Sequence, residues 1–408
     1  MASRNLPWVV LLSGEIDPNM EFINRITEAS DPSAIIDDLL AQTDGDFDLG
    51  ILYVCPWPPY DPLEVFQALK ARRRIRHLIC CTCAGIIGGS REIEGRPSAS
   101  LMLMRLPQVK IVPFALSQTV LETLKVKEDW YNFLEIYPNE NPSFLVFADP
   151  FAFDGNSFLA GLNQAYPAMP IVGGLASAAS GPGENTLILD GEVMREGLVG
   201  VCLTGNLKVE TVVSQGCRPI GETFIVTKAQ RNIIFELAGR PFYKVLEEIL
   251  NKGTDYDRHL AHEAIFVGIA MDEYKDKFKR GDFLIRGVMG VDPQSGAGAV
   301  GDYMRVGQTV QFHLRDARTA AEDLHELLKQ YKIKKQPTAV HGAFVFSCNG
   351  RGLNLFKEHD HDIKIIQHHL GPVPAAGFFC AGEIGPVGGT NFLHGFTSSM
   401  ALFYPQSL

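Results

Sequence analysis

The sequence predicts a mixed α/β protein of two related domains, with mixed β-sheets built from repeated βαβ units plus antiparallel meanders, flanked by helices. Three observations predict it. First, one pattern recurs three times: an apolar run ending in small residues or proline, a helical stretch, then a second apolar run opening into a Gly/Ala/Ser/Cys-rich loop. Second, these runs are almost continuously apolar, as parallel strands buried on both faces are, and parallel strands require a crossover between them. Third, short strand-like runs joined by Gly, Asn and Pro turns lie between the copies, as in antiparallel meanders.

The first copy runs from Leu49-Gly50-Ile51-Leu52-Tyr53-Val54-Cys55-Pro56 through a helix near Pro62–Arg74 into Leu78–Gly89. The second begins at Phe144-Leu145-Val146-Phe147-Ala148-Asp149-Pro150, continues through Asn156–Tyr166 and ends in Pro170–Ser177. The third opens at Ala343–Gly350, passes through Asp362–Leu370 and reaches Gly377–Pro386. Related units in one sheet present equivalent ends on one edge, so the loops Thr82–Gly85 and Gly173–Ser177 are expected to be neighbours in a shared sheet. Residues 197–227 and 282–314 read as meanders. Two amphipathic helices, Pro241–Leu250 and Asp316–Tyr331, separate these blocks, the second leading into a polar connection at Lys332–Pro337. A boundary near 228–240 divides the chain into 1–232 and 233–408.

The chain has 408 residues, of which 46% are hydrophobic and 21% charged, enough for sizeable cores and too apolar for disorder. Its net charge of −10 repels a phosphate backbone, so nucleic acid is not an expected partner. No apolar run approaches the roughly 18–20 residues of a membrane helix, and Leu6–Leu12 is too short for a leader. The expectation is a soluble, cytoplasmic protein without membrane attachment. Cys55, Cys80, Cys81, Cys202 and Cys380 lie inside apolar runs, where a reduced thiol behaves as a small hydrophobe, so the eight cysteines read as free.

Several motifs have plain structural readings. Gly296–Gly301 matches G-x-G-x-x-G but is followed by a strand-like alternation, so no helix N-terminus awaits a pyrophosphate. His359-Asp360-His361-Asp362 with His368-His369 resembles a metal cluster, yet no two of these histidines are three or four apart. A solvated helix start is the expectation there, and neither a metal nor a cofactor is expected in the protein. Arg72-Arg73-Arg74-Ile75-Arg76 suits the negative end of a helix dipole.

The glycine-rich strand ends carry the positive case, because ligands of open α/β sheets sit beyond the carboxyl ends of parallel strands. Ser347-Cys348-Asn349-Gly350-Arg351-Gly352 offers a thiol, an amide and a guanidinium. Cys380–Gly385 adds the Glu383 carboxylate, and Asn391–Thr397 adds Asn391 and His394. Such a set can grip a small zwitterion, with Arg351 on its carboxylate and Glu383 on its amine. The alternative is that Arg351 and Glu383 pair with each other. Candidate ligand-binding residues are Cys348, Asn349, Arg351, Glu383, Asn391 and His394, with Thr82, Cys83, Gly173 and Gly174 at the other strand ends.

The run Phe344–Gly352, followed by Gly377–Pro386 and His394-Gly395-Phe396-Thr397, resembles the C-terminal domain of FIST proteins (F-box and intracellular signal transduction). Cys81–Gly85, Pro170–Gly174 and Gly216–Gly221 leading into Val226-Thr227 are similar to the FIST N-terminal domain. The resemblance spans residues 20–402. It implies a sensory module that binds small ligands, with amino acids the candidate class, and no established catalytic residues. No F-box-like segment precedes the first copy, so a sensor standing alone, signalling through an unidentified protein, is the expectation. The rival is a cysteine-dependent enzyme using Cys348 as nucleophile with His394 or His341 as base, since the neighbouring Arg351 could lower the thiol pKa.

Overall fold

A computed structural model of the chain describes residues 20–56, 61–335 and 339–406, which leaves the run Leu6–Leu12 outside the described residues. All three βαβ units form, each with a parallel pair: Phe47–Cys55 beside Ile75–Thr82, Ser143–Ala148 beside Ile171–Leu175, and Gly342–Cys348 beside Ala375–Cys380. The crossover helices begin where the sequence supplies caps. Asp61 accepts from the Leu63 amide ahead of Pro62–Arg72, and Asp154 accepts from that of Ser157 ahead of Gly155–Ala165.

Each pair lies at the centre of its own six-stranded sheet, and the three sheets share one plan. In the first, the order is Glu21–Thr27, Ser98–Arg105, the parallel pair, then the hairpin Leu187–Leu189 and Glu192–Met194. In the second, Val109–Leu116 and Leu198–Gly205 precede the pair, and the hairpin is Glu383–Val387 with Thr390–His394. In the third, Lys208–Gln215 and Thr397–Tyr404 precede it, and the hairpin is Gly85–Gly88 with Arg91–Glu94. The hairpin in every sheet therefore belongs to a different unit from the parallel pair it flanks. Edge strands are passed on likewise: Val109–Leu116 follows Arg105 into the second sheet, and Lys208–Gln215 follows Gly205 into the third. Glu21–Thr27 takes the corresponding place in the first sheet. Its neighbour Met20 lies beside His341, whose amide bonds the Phe403 carbonyl.

The loops Thr82–Gly85 and Gly173–Ser177 are neighbours, as expected: the Ser177 amide donates to the Thr82 carbonyl at 3.3 Å and the Ala84 amide to Ser177 Oγ at 3.0 Å. They do not share a sheet. The flank that would have joined the first pair to the second is occupied in each case by a hairpin from elsewhere in the chain.

The faces of all three sheets meet in one apolar core. Tyr53, Phe147 and Phe346 occupy equivalent positions near the carboxyl ends of the three leading parallel strands. The Phe147 ring lies 5.5 Å from Tyr53 and 6.0 Å from Phe346, and Phe378 stands 5.1 Å from Tyr53. Gly174 lies against Phe378 and Cys380, where a Cβ would collide with the Cys380 sulfur, so the small residue makes room for the large one. All eight cysteines are free and buried.

Residues 217–315 form a fourth, wholly antiparallel sheet. Cys217–Gln230 pairs with Thr309–Arg315 through its first half and with Ile233–Leu237 through its second. The order Cys217–Gln230, Thr309–Arg315, Ile265–Ala270, Phe283–Asp292, Ala297–Val300, Ile233–Leu237 thus closes on itself as a six-stranded barrel. Phe242–Lys252 packs on its core. The boundary expected near 228–240 falls in the turn between two paired strands of this barrel. The strand Ala297–Val300 lies within the glycine motif, which forms a hairpin. The helix expected to end at Tyr331 continues as Ala317–Lys335, its added turn carrying lysines that suit the negative dipole end. Among the described residues no helix is long and apolar enough to cross a membrane.

Tyr53 presents a buried hydroxyl with no hydrogen-bond partner, in a position where the other two units carry Phe. Tyr53→Phe is expected to leave stability unchanged or raise it by about 1–2 kcal/mol, because an unsatisfied buried polar group is removed without loss of ring packing. Urea unfolding midpoints of the two proteins check this.

Candidate functional site

The strand Gly342–Cys348 turns its phenylalanines toward the central core and Ala343 and Val345 toward the helices, then ends at Cys348. The Arg351 amide closes the turn on the Cys348 carbonyl at 2.8 Å, and Gly352, with φ +55°, opens the short helix Gly352–Phe356. This turn buries Arg351, which is 1% exposed. Its Nε and Nη2 donate to the two Asp362 oxygens at 2.7 and 3.0 Å, and its guanidinium lies over the Phe356 ring.

Asp362 is therefore no part of a solvated helix start. It is 1% exposed and also accepts from Ser347 Oγ at 3.2 Å. Burial works against its carboxylate, but Arg351 and His361 outweigh burial and hold the group well below the usual carboxylate range. The hairpin from the first unit supplies two more acids. Glu92 Oε1 accepts from the Ile363 amide at 2.8 Å and Glu94 Oε1 from that of Leu353 at 2.9 Å, so each acid holds the start of one helix. Burial, reinforced by the Asp362 charge, pushes the Glu92 carboxyl up.

Glu383 is fully buried and does not pair with Arg351. Its Oε2 accepts from the Thr397 amide at 3.0 Å and from Thr397 Oγ1 at 2.8 Å. Burial outweighs these bonds and the nearby Arg351 charge, raising the carboxyl from 4.5 to about 8. The expected direct pair is thus replaced by two separate arrangements, Arg351 with Asp362 and Glu383 with Thr397. Three buried atoms here have no partner: Arg351 Nη1, Glu383 Oε1 and Asn349 Oδ1. Two of these residues, Arg351 and Glu383, flank one seam. A Cβ on Gly216 would stand 3.2 Å from Arg351 Nη1, and the Gly216 amide donates at 2.8 Å to the carbonyl of Phe396, the residue preceding Thr397. The barrel closes over this seam through Arg315 Nη1, which reaches the Gly350 carbonyl at 3.3 Å, and through Phe266, whose ring meets that of Phe396 edge-on at 4.4 Å.

Cys348 Sγ accepts from the Gly350 amide at 3.4 Å. Its thiol pKa is pushed up, chiefly by burial and then by Glu383, and the Gly350 and Phe396 amides and Arg351 offset only part of this. That is the reverse of the lowered pKa expected from Arg351 alone. His394 Nε2 is engaged with the Gly385 carbonyl at 2.9 Å, and His341 lies at the far end of the strand beside Met20. Among the described residues neither His394 nor His341 is placed as a base for Cys348, and the acid beside its thiol is Glu383.

The remaining candidates lie outside the seam. Asn391 joins the exchanged hairpin to the second sheet, bonding Asn163, Met169 and Ile171. Thr82 Oγ1 accepts from the Thr186 amide, Cys83 Sγ donates to the Val54 carbonyl, and Gly173 and Gly174 are close-packed strand positions. The signal for Glu92 lies in a hairpin of another unit, and that for Asp362 was masked by its charged neighbours. Three surface clefts of about 450, 490 and 510 Å³ are lined by none of the sequence-selected residues. Among the described residues no group of three or more His, Cys, Asp or Glu could hold a metal ion.

Comparison with known proteins divides the chain in two. The FIST N domain matches residues 48–240, and the FIST C domain matches residues 243–386. An uncharacterized protein of Mycobacterium tuberculosis is 40% identical over 341 residues, covering 84% of this chain and 87% of its own length. An uncharacterized protein of Mycobacterium bovis is 38% identical over 326 residues, covering 80% of this chain and 82% of its own.

Two outcomes follow from the buried charges. Arg351→Ala is expected to lower stability by about 3–5 kcal/mol, because it strands Asp362 without a counter-ion; equilibrium unfolding measures it. Glu383 titrates near 4.5 when unfolded and at about 8 when folded, so the native state holds the extra proton between these values and stability falls as pH rises through that window. Asp362 acts only at acid pH, where its contribution is lost. Glu383→Gln should flatten the fall by up to about 1.4 kcal/mol per pH unit, read from unfolding free energies between pH 5 and 8.

Proposed function

The chain belongs to the FIST family, whose domains are signal-transduction sensory domains, and from that premise we propose that it is a cytoplasmic small-ligand sensor. Its site is the seam between the third βαβ unit and the inserted barrel, its ligand is an amino acid, and its output passes through another protein. One observation carries the reading: Arg351 Nη1 and Glu383 Oε1 are both buried and both lack a partner. Native proteins leave few such groups unsatisfied, and here a cationic donor and a carboxyl oxygen are set on either side of the close approach of Gly216 to Phe396. A ligand carboxylate accepts from Arg351 Nη1, while its ammonium donates to Glu383 Oε1 and Asn349 Oδ1. Cys348 contributes to the wall, as a buried thiol. The common six-strand plan of the three sheets supports descent from an internal repeat, with this seam elaborated in the third copy.

Glu383 must give up its proton to receive an ammonium group, so binding should release a proton near neutral pH. Calorimetric titration of the twenty amino acids between pH 6 and 8 should find one whose affinity rises with pH, by at most about tenfold per unit, with an enthalpy that depends on the buffer. Glu383→Gln should weaken that ligand by about 10–100-fold and abolish the pH dependence. Absence of binding by all twenty at millimolar concentration, or binding that Glu383→Gln leaves untouched, sinks the proposal.

A further inference from the structure

We propose that His325 and His369 form a site for a divalent transition-metal ion of the zinc, nickel or copper class, with water completing its coordination. The two residues are 44 apart in sequence and stand on different helices, Ala317–Lys335 and His361–Leu370, yet His325 Nδ1 lies 3.0 Å from His369 Nε2. Two imidazole nitrogens bound at about 2.0–2.1 Å to one ion are roughly 2.9 Å apart at a right angle and roughly 3.3 Å apart in a tetrahedron. The observed separation falls between these values, so the pair already has the bite of a bidentate ligand.

Both rings are positioned by their backbones. His325 sits between Leu324 and Leu328, and His369 lies a turn beyond Ile365 and Ile366. All four of these aliphatic residues belong to the same buried cluster between the helices and the third sheet. The rings occupy the rim of that contact, where solvent can deliver an ion and supply its remaining ligands. His368 adds a third imidazole beside the pair, its ring centre 5.1 Å from that of His369. Lys329 and Lys332, on the helix that carries His325, place positive charge near His369. The same lysines reduce the attraction for a cation, which points to a modest rather than a tight site. Imidazole donors without thiolates select borderline ions over magnesium or calcium.

The other account of a 3.0 Å contact is a direct imidazole–imidazole hydrogen bond, which needs one N–H and one lone pair where a metal needs two lone pairs. Tag-free full-length protein, dialysed against a chelator and titrated with Zn²⁺ or Ni²⁺ in a calorimeter, separates them. The expected result is one ion per chain, a rise in Tm with ion concentration, and no comparable response to Mg²⁺. His325→Ala and His369→Ala should each weaken binding by at least about tenfold, while His359→Ala leaves it unchanged. Matching melts of all four proteins in chelator would confirm that the variants are folded. No binding, or one-to-one binding that survives both His325→Ala and His369→Ala, overturns the proposal.

Discussion

A parallel strand pair has two flanks, and each must find a partner or expose a row of backbone donors and acceptors. In this protein each unit closes one flank with its own long antiparallel strand but leaves the other to a hairpin from elsewhere in the chain. Ile86–Gly88 closes the third unit, Leu187–Leu189 the first, and Glu383–Ile384 the second. No unit completes its own sheet, and the chain reaches a fully paired state only when all three have formed. The ladder between Ala376–Phe378 and Ile86–Gly88 joins residues about 290 positions apart, the kind of contact whose loop closure slows folding.

The same exchange builds the seam. The first unit's hairpin carries Glu92 and Glu94 to the helices that follow the third unit's leading strand, and the third unit's own hairpin carries Glu383 away to pair with Gly174 of the second sheet. Arg351 is thus surrounded by carboxyl groups from separate segments. One buried guanidinium cannot neutralise several buried carboxylates, and uncompensated charge in such a place is costly. The proton resolves the imbalance: Asp362, in bidentate contact, holds the negative charge, while burial favours the protonated forms of Glu92 and Glu383.

The parallel pairs, their crossovers and the individual strands between them were legible in the sequence, because continuous apolar runs and capped helices are local signals, but the strands of 197–227 part into three different sheets instead of forming one meander. The exchange of hairpins was not. Gly85–Glu94 reads as a loop and two short strands wherever it docks, and nothing in its composition says that its partner begins at Ala375. Arg351 and Glu383 were recognised as charged residues at strand ends, but the pairing went to Asp362. That carboxylate sits between His361 and a buried isoleucine stripe, and only the turn of Arg351 back over Phe356 separates burial from a solvated helix start. Closure of residues 217–315 into a barrel was hidden in one strand, Cys217–Gln230, which serves two partners in succession.

The three units also show why a site would arise at the third. Cys55, Asp149 and Cys348 occupy the same place, two residues beyond Tyr53, Phe147 and Phe346. In the second unit Asp149 is consumed locally, accepting from the Phe151 and Ala152 amides and from Asn185 Nδ2, so that strand end caps its own turn. At the third, Cys348 contacts the Gly350 amide, the Phe396 amide and Glu383, and the chain continues into Arg351 instead of a self-satisfied turn. The barrel is inserted at that point: the chain enters it after Gly216 and leaves it at Asp316, whose amide returns to the Gly216 carbonyl at 3.3 Å. Entry and exit run side by side as a neck beside the unpartnered Arg351 Nη1, one of several attachments that include Gln215 to the Phe283 carbonyl and Arg286 to the Leu393 carbonyl. Whatever satisfies that nitrogen also touches the neck, so occupancy of the seam and the seating of the barrel are physically coupled.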